Sequence, residues 1–208
     1  VKDNPQHALD VPEKQLKHIA NKKEPQYGET SHVFGKGYLI PLLRLGVFPG
    51  LVFLNRDFRK VALSLYQRGS TPMNTPNGQH YSADPTAPGG LSIFYPESLT
   101  DYQLCFWGVL DSYYRQLQAA HIYQHEGLDR FFWITAEGLN EFETVLEMGR
   151  RFALEPKASA QAEHAKIISV HHNPTVKKRT ADGIDFLSEE LAVIDRVSFY
   201  EPVFVENT

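Results

Sequence analysis

Residues 50–69, GLVFLNRDFRKVALSLYQRG, decide the fold. The first six form a continuous apolar run between turn signals, which predicts a strand buried on both faces of a parallel sheet. Asp57 follows almost at once and is a good helix N-cap. The next residues place apolar side chains on one helical face, namely Val61, Ala62, Leu65 and Tyr66. Gly69 is typical of a helix end, so the stretch predicts a βα unit, and ligands in such sheets bind where strands end and helices begin.

Further strands and helices alternate along the rest of the chain. Apolar runs predict strands over residues 27–31, 130–135 and 166–170. Helical spacing predicts helices over residues 13–21, 36–45, 100–126, 137–152 and 184–199. Alternation of this kind predicts an α/β fold, with a mainly parallel central sheet flanked by helices, in a single domain over residues 1–208. The segment 70–98, dense in Pro, Gly, Asn, Ser and Thr, is a long loop of the kind that often carries function.

Composition excludes several classes of protein. The 208 residues are 42% hydrophobic and 22% charged, which is typical of a globular protein. The net charge of −4 gives no overall basic field, so neither nucleic acid nor an acidic membrane surface is an expected partner. Cys105 is the only cysteine, which excludes an internal disulfide and a cysteine-based zinc site. No apolar run approaches the roughly 18 residues of a membrane helix, and no signal peptide is recognised, so a cytoplasmic location is expected.

Two polar side chains in the βα unit have the spacing of an anion site. Arg56 stands at the strand exit, and Ser64 follows eight residues later, a little over two helical turns. A guanidinium offers a bidentate fork to a phosphate, and a hydroxyl adds a single donor. The backbone N–H groups at the helix start would add positive potential. The stretch therefore predicts a phosphate site that uses Arg56 and Ser64.

The same residues resemble the PAPS-dependent sulfotransferases, in which an Arg and a Ser at this spacing hold the 3′-phosphate of 3′-phosphoadenosine-5′-phosphosulfate. The resemblance implies PAPS as co-substrate, no metal, and a P-loop nucleotide-binding architecture. The segment ETSHVF is similar to the Lys-Thr-His segment of the cytosolic enzymes, although Glu29 replaces the lysine and a serine intervenes. His32 would then be the base that deprotonates the acceptor hydroxyl. Glu29 is the second candidate, because related enzymes use a glutamate.

Two later segments extend the resemblance. Sulfotransferases have a late basic loop that reaches the 3′-phosphate, and Lys177, Lys178 or Arg179 in SVHHNPTVKKR would serve in this way, unless the run is simply a solvated loop. The segment LTDYQLCFWGVLDSYYRQ resembles a helix of bacterial sulfotransferase-like proteins through Tyr102, Trp107 and Asp111, although core packing explains its aromatic residues equally well.

One part of the family pattern is missing from these residues. The family binds the 5′-phosphosulfate in a Gly-rich turn with a Lys and a Ser or Thr, and FGKGYL lacks that spacing. The resemblance covers roughly residues 27–179. It implies that the N-terminal part of the domain either lies upstream of Val1 or is degenerate.

Three interpretations remain open. The first is sulfuryl transfer to a hydroxyl or amine of a small-molecule or carbohydrate acceptor. In that case the loop 70–98 would shape the acceptor pocket with Tyr81, Phe94 and Tyr95. The second is another P-loop transferase, such as a small-molecule kinase. The third is a non-catalytic relative that retains a nucleotide or partner surface. His121 and His125 have metal-ligand spacing, but we interpret them as surface histidines.

Overall fold

The computed structural model describes residues 7–23, 26–30, 34–81, 83–86, 89–170 and 179–198, and the chain forms two compact units, residues 1–49 and 50–208. The first unit contains helix α1 (His7–Ala20), a 3₁₀ turn (Phe34–Lys36) and helix α2 (Leu39–Arg44). The predicted strand over residues 27–31 is wrong, because residues 26–30 form no regular element. The predicted helix over residues 36–45 is shorter than expected, since α2 begins only after Gly37.

The second unit contains the sheet and six further helices in the part of the chain that the structure describes. Its elements are β1 (Leu51–Asn55), α3 (Phe58–Arg68), α4 (Pro76–Tyr81), α5 (Asp101–His125), β2 (Phe131–Thr135), α6 (Phe142–Arg151), α7 (Ala160–Ile168) and α8 (Phe186–Ser198). Strands β1 and β2 are parallel, with Leu51 opposite Phe131 and Asn55 opposite Thr135. The α/β class is therefore confirmed: a two-stranded parallel sheet is flanked by helices.

One strand prediction and one burial prediction are wrong in this unit. Residues 166–170, predicted as a strand, continue α7 to Ile168, because the helix formers AQAEHAK lead directly into them. Strand β1 is not buried on both faces. Leu51 and Phe53 are buried, whereas Val52 is 46% and Leu54 48% exposed. The alternation arises because α5 covers the face of Phe53, where Tyr113 of α5 packs against Trp133 of β2.

Helix α5 is the centre of the core. It begins with a complete capping box, in which the Thr100 hydroxyl accepts from the Gln103 amide while the Gln103 side chain accepts from the Thr100 amide. Tyr102, Leu104, Cys105, Phe106, Trp107, Val109 and Leu110 are all buried along it. Helices α3 and α8 pack against α5.

A buried carboxylate joins these three helices. Glu190 of α8 is 8% exposed and accepts two hydrogen bonds from the Arg59 guanidinium of α3, at 2.8 and 2.7 Å. The hydroxyl of Tyr102 on α5 donates to the same carboxylate at 2.6 Å. Burial and this carboxylate raise the pKa of Tyr102, so the hydroxyl stays protonated and can donate. A bidentate guanidinium and a phenol together satisfy a carboxylate whose burial would otherwise be costly.

Removal of the Tyr102 hydroxyl tests this junction. We expect Tyr102→Phe to lower the free energy of unfolding by about 2 kcal/mol, because a buried hydrogen bond to a charged group is lost. Tyr113→Phe is the matched control on the same helix, and it should change stability by less than about 0.5 kcal/mol. Urea denaturation of the two variants measures the difference, and equal effects would contradict a junction at Glu190.

The single thiol provides a second test of the packing. Cys105 is fully buried, and burial raises the pKa of its thiol to about 12. We expect iodoacetamide at pH 8 to alkylate Cys105 at least about a hundredfold more slowly in buffer than in urea, because reaction requires opening of the core. The unfolded thiol ionises at lower pH than the folded one, so its contribution to stability is complete below about pH 9 and declines as the pH rises toward 12. Equal alkylation rates would contradict the buried position.

Candidate functional site

The connection from β1 to α3 has the predicted strand–turn–helix form. An acidic side chain of the turn already binds an amide group at the start of the helix. Arg56 and Asp57 form the turn between Asn55 and Phe58. Asp57 is the N-cap, and its carboxylate accepts a hydrogen bond from the Lys60 amide at 2.8 Å. The carboxylate therefore takes one of the free N–H groups and opposes the positive end of the helix. The expectation that these N–H groups attract a bound anion is weakened, so an anion must rely on side chains.

Arg56 and Ser64 are the two predicted phosphate ligands, and both have unused donors. Arg56 is exposed, and Ser64 is half-buried in the second turn of α3. Within the described residues, neither the Arg56 guanidinium nor the Ser64 hydroxyl has a hydrogen-bond partner. The axial rise from the first residue of α3 to Ser64 is about 9 Å. A phosphate held by both groups would thus lie alongside the first two turns of the helix.

The neighbouring Arg59 has a different role, although it belongs to the same stretch. Its guanidinium is bound to Glu190 and lies over the Phe186 ring, 5.7 Å from the centroid. The hydrogen bond and charge of Glu190 raise the pKa of Arg59. Helix α3 therefore uses Arg59 for packing, while Arg56 has no partner among the residues that the structure describes. In the sequence, only the R-x7-S pattern distinguishes Arg56 from Arg59.

Arg68 is a further cation beside Ser64 that the sequence reasoning did not select. Its Nε donates to the carbonyl oxygen of Ser64 at 3.2 Å, and its side chain is exposed. Residues four apart share a helical face. The position of Arg68 four residues after Ser64 was therefore the sequence signal that could have identified it as a neighbour of the hydroxyl. Arg68 adds positive charge close to the hydroxyl without contacting a carboxylate among the described residues.

Arg179, the described residue of the late basic run, contacts the C-terminal part of α3. Its amide donates to the Gln67 carbonyl at 3.3 Å, and its guanidinium lies over the Tyr66 ring at 5.4 Å. The guanidinium also donates to Asp101 at 2.5 Å. Tyr66 is two residues from Ser64 and lies nearly opposite it around the helix, so these contacts do not bring the Arg179 guanidinium to the predicted hydroxyl. Lys177 and Lys178 lie outside the described residues.

The two candidate bases belong to the first unit. Glu29 is exposed and accepts hydrogen bonds from the Tyr27 hydroxyl at 3.1 Å and from Gln15 at 3.3 Å. The pKa of Tyr27 is raised by burial and then by the hydrogen bond to Glu29. Glu29 is therefore engaged by two donors of its own unit. His32, the preferred base, lies outside the described residues.

Much of the loop 70–98 is anchored to the core. Leu91 and Ile93 are buried, and the Leu91 amide donates to the buried carboxylate of Asp111 at 2.8 Å. The indole of Trp107 donates to the Leu91 carbonyl at 3.0 Å. Thus Trp107 and Asp111, which carry part of the resemblance, have structural contacts here. Tyr102 likewise has its partner in Glu190.

The end of this loop presents aromatic rings to solvent. Phe94 is 43% and Tyr95 59% exposed, and their rings meet edge to face at 4.2 Å. Tyr95 has a φ of 50°, which is uncommon for a bulky residue. Its carbonyl accepts from Arg196 at 3.2 Å. The third predicted residue, Tyr81, ends α4, and its side chain lies outside the described part of the chain.

Comparison with known proteins adds no relative. No protein-family model matches the chain, and neither curated proteins nor solved structures give a match. Within the described ranges, no group of three or more His, Cys, Asp or Glu residues is arranged to hold a metal ion. Among the same residues, no helix has the combination of length and apolarity required to cross a bilayer. The candidate site therefore depends on the geometry around α3.

Proposed function

We propose that this chain binds a nucleoside 3′-phosphate along α3 and belongs to a PAPS-dependent sulfotransferase with P-loop architecture. One observation carries the proposal: Arg56 and Ser64 stand at the spacing of the family, and neither side chain has a hydrogen-bond partner among the described residues. Arg68 adds positive charge near Ser64. The Asp57 carboxylate at the start of α3 opposes the two guanidinium groups of Arg56 and Arg68, which leaves a net positive charge among these three residues.

The reaction would transfer the sulfuryl group in line from PAPS to an acceptor hydroxyl or amine. The chain would hold the 3′-phosphate of the donor through Arg56 and Ser64, and so fix the position of the distant phosphosulfate. His32, or Glu29 in its place, would take the proton of the acceptor as its oxygen or nitrogen bonds to sulfur. The exposed Phe94 and Tyr95 rings would contact a ring of a small-molecule or carbohydrate acceptor.

Ligand choice separates this function from the alternatives. We expect adenosine 3′,5′-bisphosphate at about 100 times its Kd to stabilise the chain by about 2.7 kcal/mol, which raises the Tm by about 5–10 °C. ATP with magnesium should cause no comparable shift. A shift with ATP and magnesium alone would indicate a kinase-like transferase, and no shift with either ligand would contradict nucleotide binding.

Substitution of the two ligands tests the site itself. Arg56→Ala should weaken bisphosphate binding by at least about 2 kcal/mol, roughly thirtyfold, because a charged fork is lost. Ser64→Ala should weaken it by about 1 kcal/mol, roughly fivefold. Calorimetric titration gives both values.

Arg150→Ala is the matched control, since Arg150 is an exposed arginine on α6 and its loss changes the net charge equally. We expect this control to keep the affinity of the unsubstituted chain. An affinity that is unchanged in Arg56→Ala, or reduced equally in Arg150→Ala, would reject the role of Arg56.

A further inference from the structure

The segment 91–99 presents two aromatic side chains to solvent from a rigid support. Its ends, Leu91 and Leu99, are buried, and core side chains bind the backbone at the first end by hydrogen bonds. Between these ends, Phe94 and Tyr95 are exposed, and their rings meet edge to face. Large exposed rings that adjoin one another indicate a contact surface more than a part of the core.

Tyr95 adopts a backbone conformation that is unfavourable for it. Its φ of 50° and ψ of 60° lie in the left-handed region, which bulky side chains rarely adopt. Pro96 follows directly, and a residue before proline favours an extended conformation instead. A strained residue of this kind persists only where its surroundings hold it, and such residues are concentrated at catalytic and ligand-binding sites.

Three donors hold the carbonyl of Tyr95 and thereby maintain this conformation. The Ser98 amide donates at 3.1 Å, the Ser98 hydroxyl at 2.9 Å, and Nη1 of Arg196 at 3.2 Å. Arg196 also donates to the Ser98 hydroxyl at 2.7 Å, which links α8 to the turn. The backbone that carries both rings is therefore fixed before a ligand binds, and this reduces the entropy that binding would otherwise cost.

Two polar groups of the same turn have unused hydrogen-bonding capacity. Among the described residues, neither the Tyr95 hydroxyl nor the exposed carboxylate of Glu97 has a hydrogen-bond partner. The turn thus combines aromatic rings with a phenol and a carboxylate. A sugar ring has the matching composition, because its C–H face packs on an aromatic ring while its hydroxyls both donate and accept.

The exposure of the two rings distinguishes between classes of ligand. A site for a small apolar molecule normally encloses most of the surface of that molecule. The Phe94 and Tyr95 rings project into solvent, so a ligand that packs on them keeps its other face in water. A sugar ring tolerates this arrangement because its hydroxyls stay hydrated, whereas an apolar ring does not gain full burial.

We propose that Phe94 and Tyr95 form a platform that binds a carbohydrate chain, and that Ser98 and Arg196 are positioning residues. The positioning residues do not touch the ligand and act through the Tyr95 carbonyl. The inference deepens the proposed function, and it rests on that function in making the carbohydrate the sulfuryl acceptor. Binding of the carbohydrate itself does not require the nucleotide.

The experiment is saturation-transfer-difference NMR of the full chain with two probes, cellotriose and 2-naphthol. The unsubstituted chain should transfer saturation to the ring C–H protons of cellotriose, with a Kd in the millimolar range. Tyr95→Asn should weaken this binding at least about tenfold, because asparagine tolerates the left-handed conformation but lacks the ring. It should keep or raise the Tm, because the backbone strain is relieved. If this variant does not fold, Tyr95→Gly replaces it, since glycine adopts a positive φ freely.

Variants of the supporting residues test the positioning role. Arg196→Ala should weaken cellotriose binding about three- to tenfold, and Arg196→Lys, which keeps a donor for the carbonyl, should restore part of it. Arg196→Ala should cause no further loss when it is combined with Tyr95→Asn, because the arginine acts through Tyr95. A further loss in the double variant would overturn the positioning role.

Two other tyrosine substitutions are the controls. Tyr95→Phe keeps the ring and should retain cellotriose binding within about threefold. Tyr27→Asn is the matched control, because Tyr27 is an exposed tyrosine of the first unit. It should leave cellotriose binding unchanged, and a loss equal to that of Tyr95→Asn would overturn the platform.

The outcomes separate the inference from the proposed function. If the chain binds cellotriose through Tyr95 but does not bind adenosine 3′,5′-bisphosphate, the proposed function fails and the carbohydrate site stands without an acceptor role. If the chain binds the bisphosphate but transfers no saturation to cellotriose, the inference alone is overturned. Saturation transfer to 2-naphthol only, or unchanged cellotriose binding in Tyr95→Asn, overturns it as well.

Discussion

The orientation of α3 depends on one buried carboxylate. Glu190 receives the Arg59 guanidinium and the Tyr102 hydroxyl, and thereby ties α3 and α5 to α8. A carboxylate with this little exposure is stable only when its oxygens are satisfied, so removing one partner costs more than the bond alone. Since Ser64 lies on α3, the direction of its hydroxyl follows from this junction. The proposed site is thus supported by contacts on the opposite side of the helix.

Three arginines of α3 and its entry turn illustrate how similar residues acquire different roles. Arg59 is bound by a carboxylate and a ring, Arg68 contacts a carbonyl of its own helix, and Arg56 has no partner in the described chain. A guanidinium that a carboxylate already binds has fewer donors for a ligand. The pattern supports Arg56 as the principal phosphate ligand, with Arg68 as an auxiliary charge. The Asp57 cap requires that side chains, more than helix amides, hold the anion.

Sequence reasoning succeeded where local chemistry determines structure. The start of α5 was predictable from Thr100, and the end of α3 from Gly69, whose φ is 67°. It failed for residues 166–170, because the helix formers that precede them extend α7 to Ile168. It also failed for the half-exposed Val52 and Leu54, where tertiary packing decides which face of the strand is buried. The candidate site at Arg56 and Ser64 depends on the local R-x7-S pattern and stays a prediction. Two side-chain pairs around α3 have no local signal, because their partners are far apart in sequence. Arg59 and Glu190 are 131 residues apart, and Arg179 and Asp101 are 78 residues apart.

The central claim is that one phosphate is held jointly by Arg56 and Ser64, and ³¹P NMR of bound adenosine 3′,5′-bisphosphate tests it most directly. The ligand has two resolved phosphate signals, so the protein's effect on each is read separately. The account predicts that the unsubstituted chain shifts the 3′-phosphate signal, and that Arg56→Ala and Ser64→Ala each diminish this shift at saturating ligand. A shift confined to the 5′-phosphate, or a 3′ signal that both substitutions leave unchanged, would contradict it.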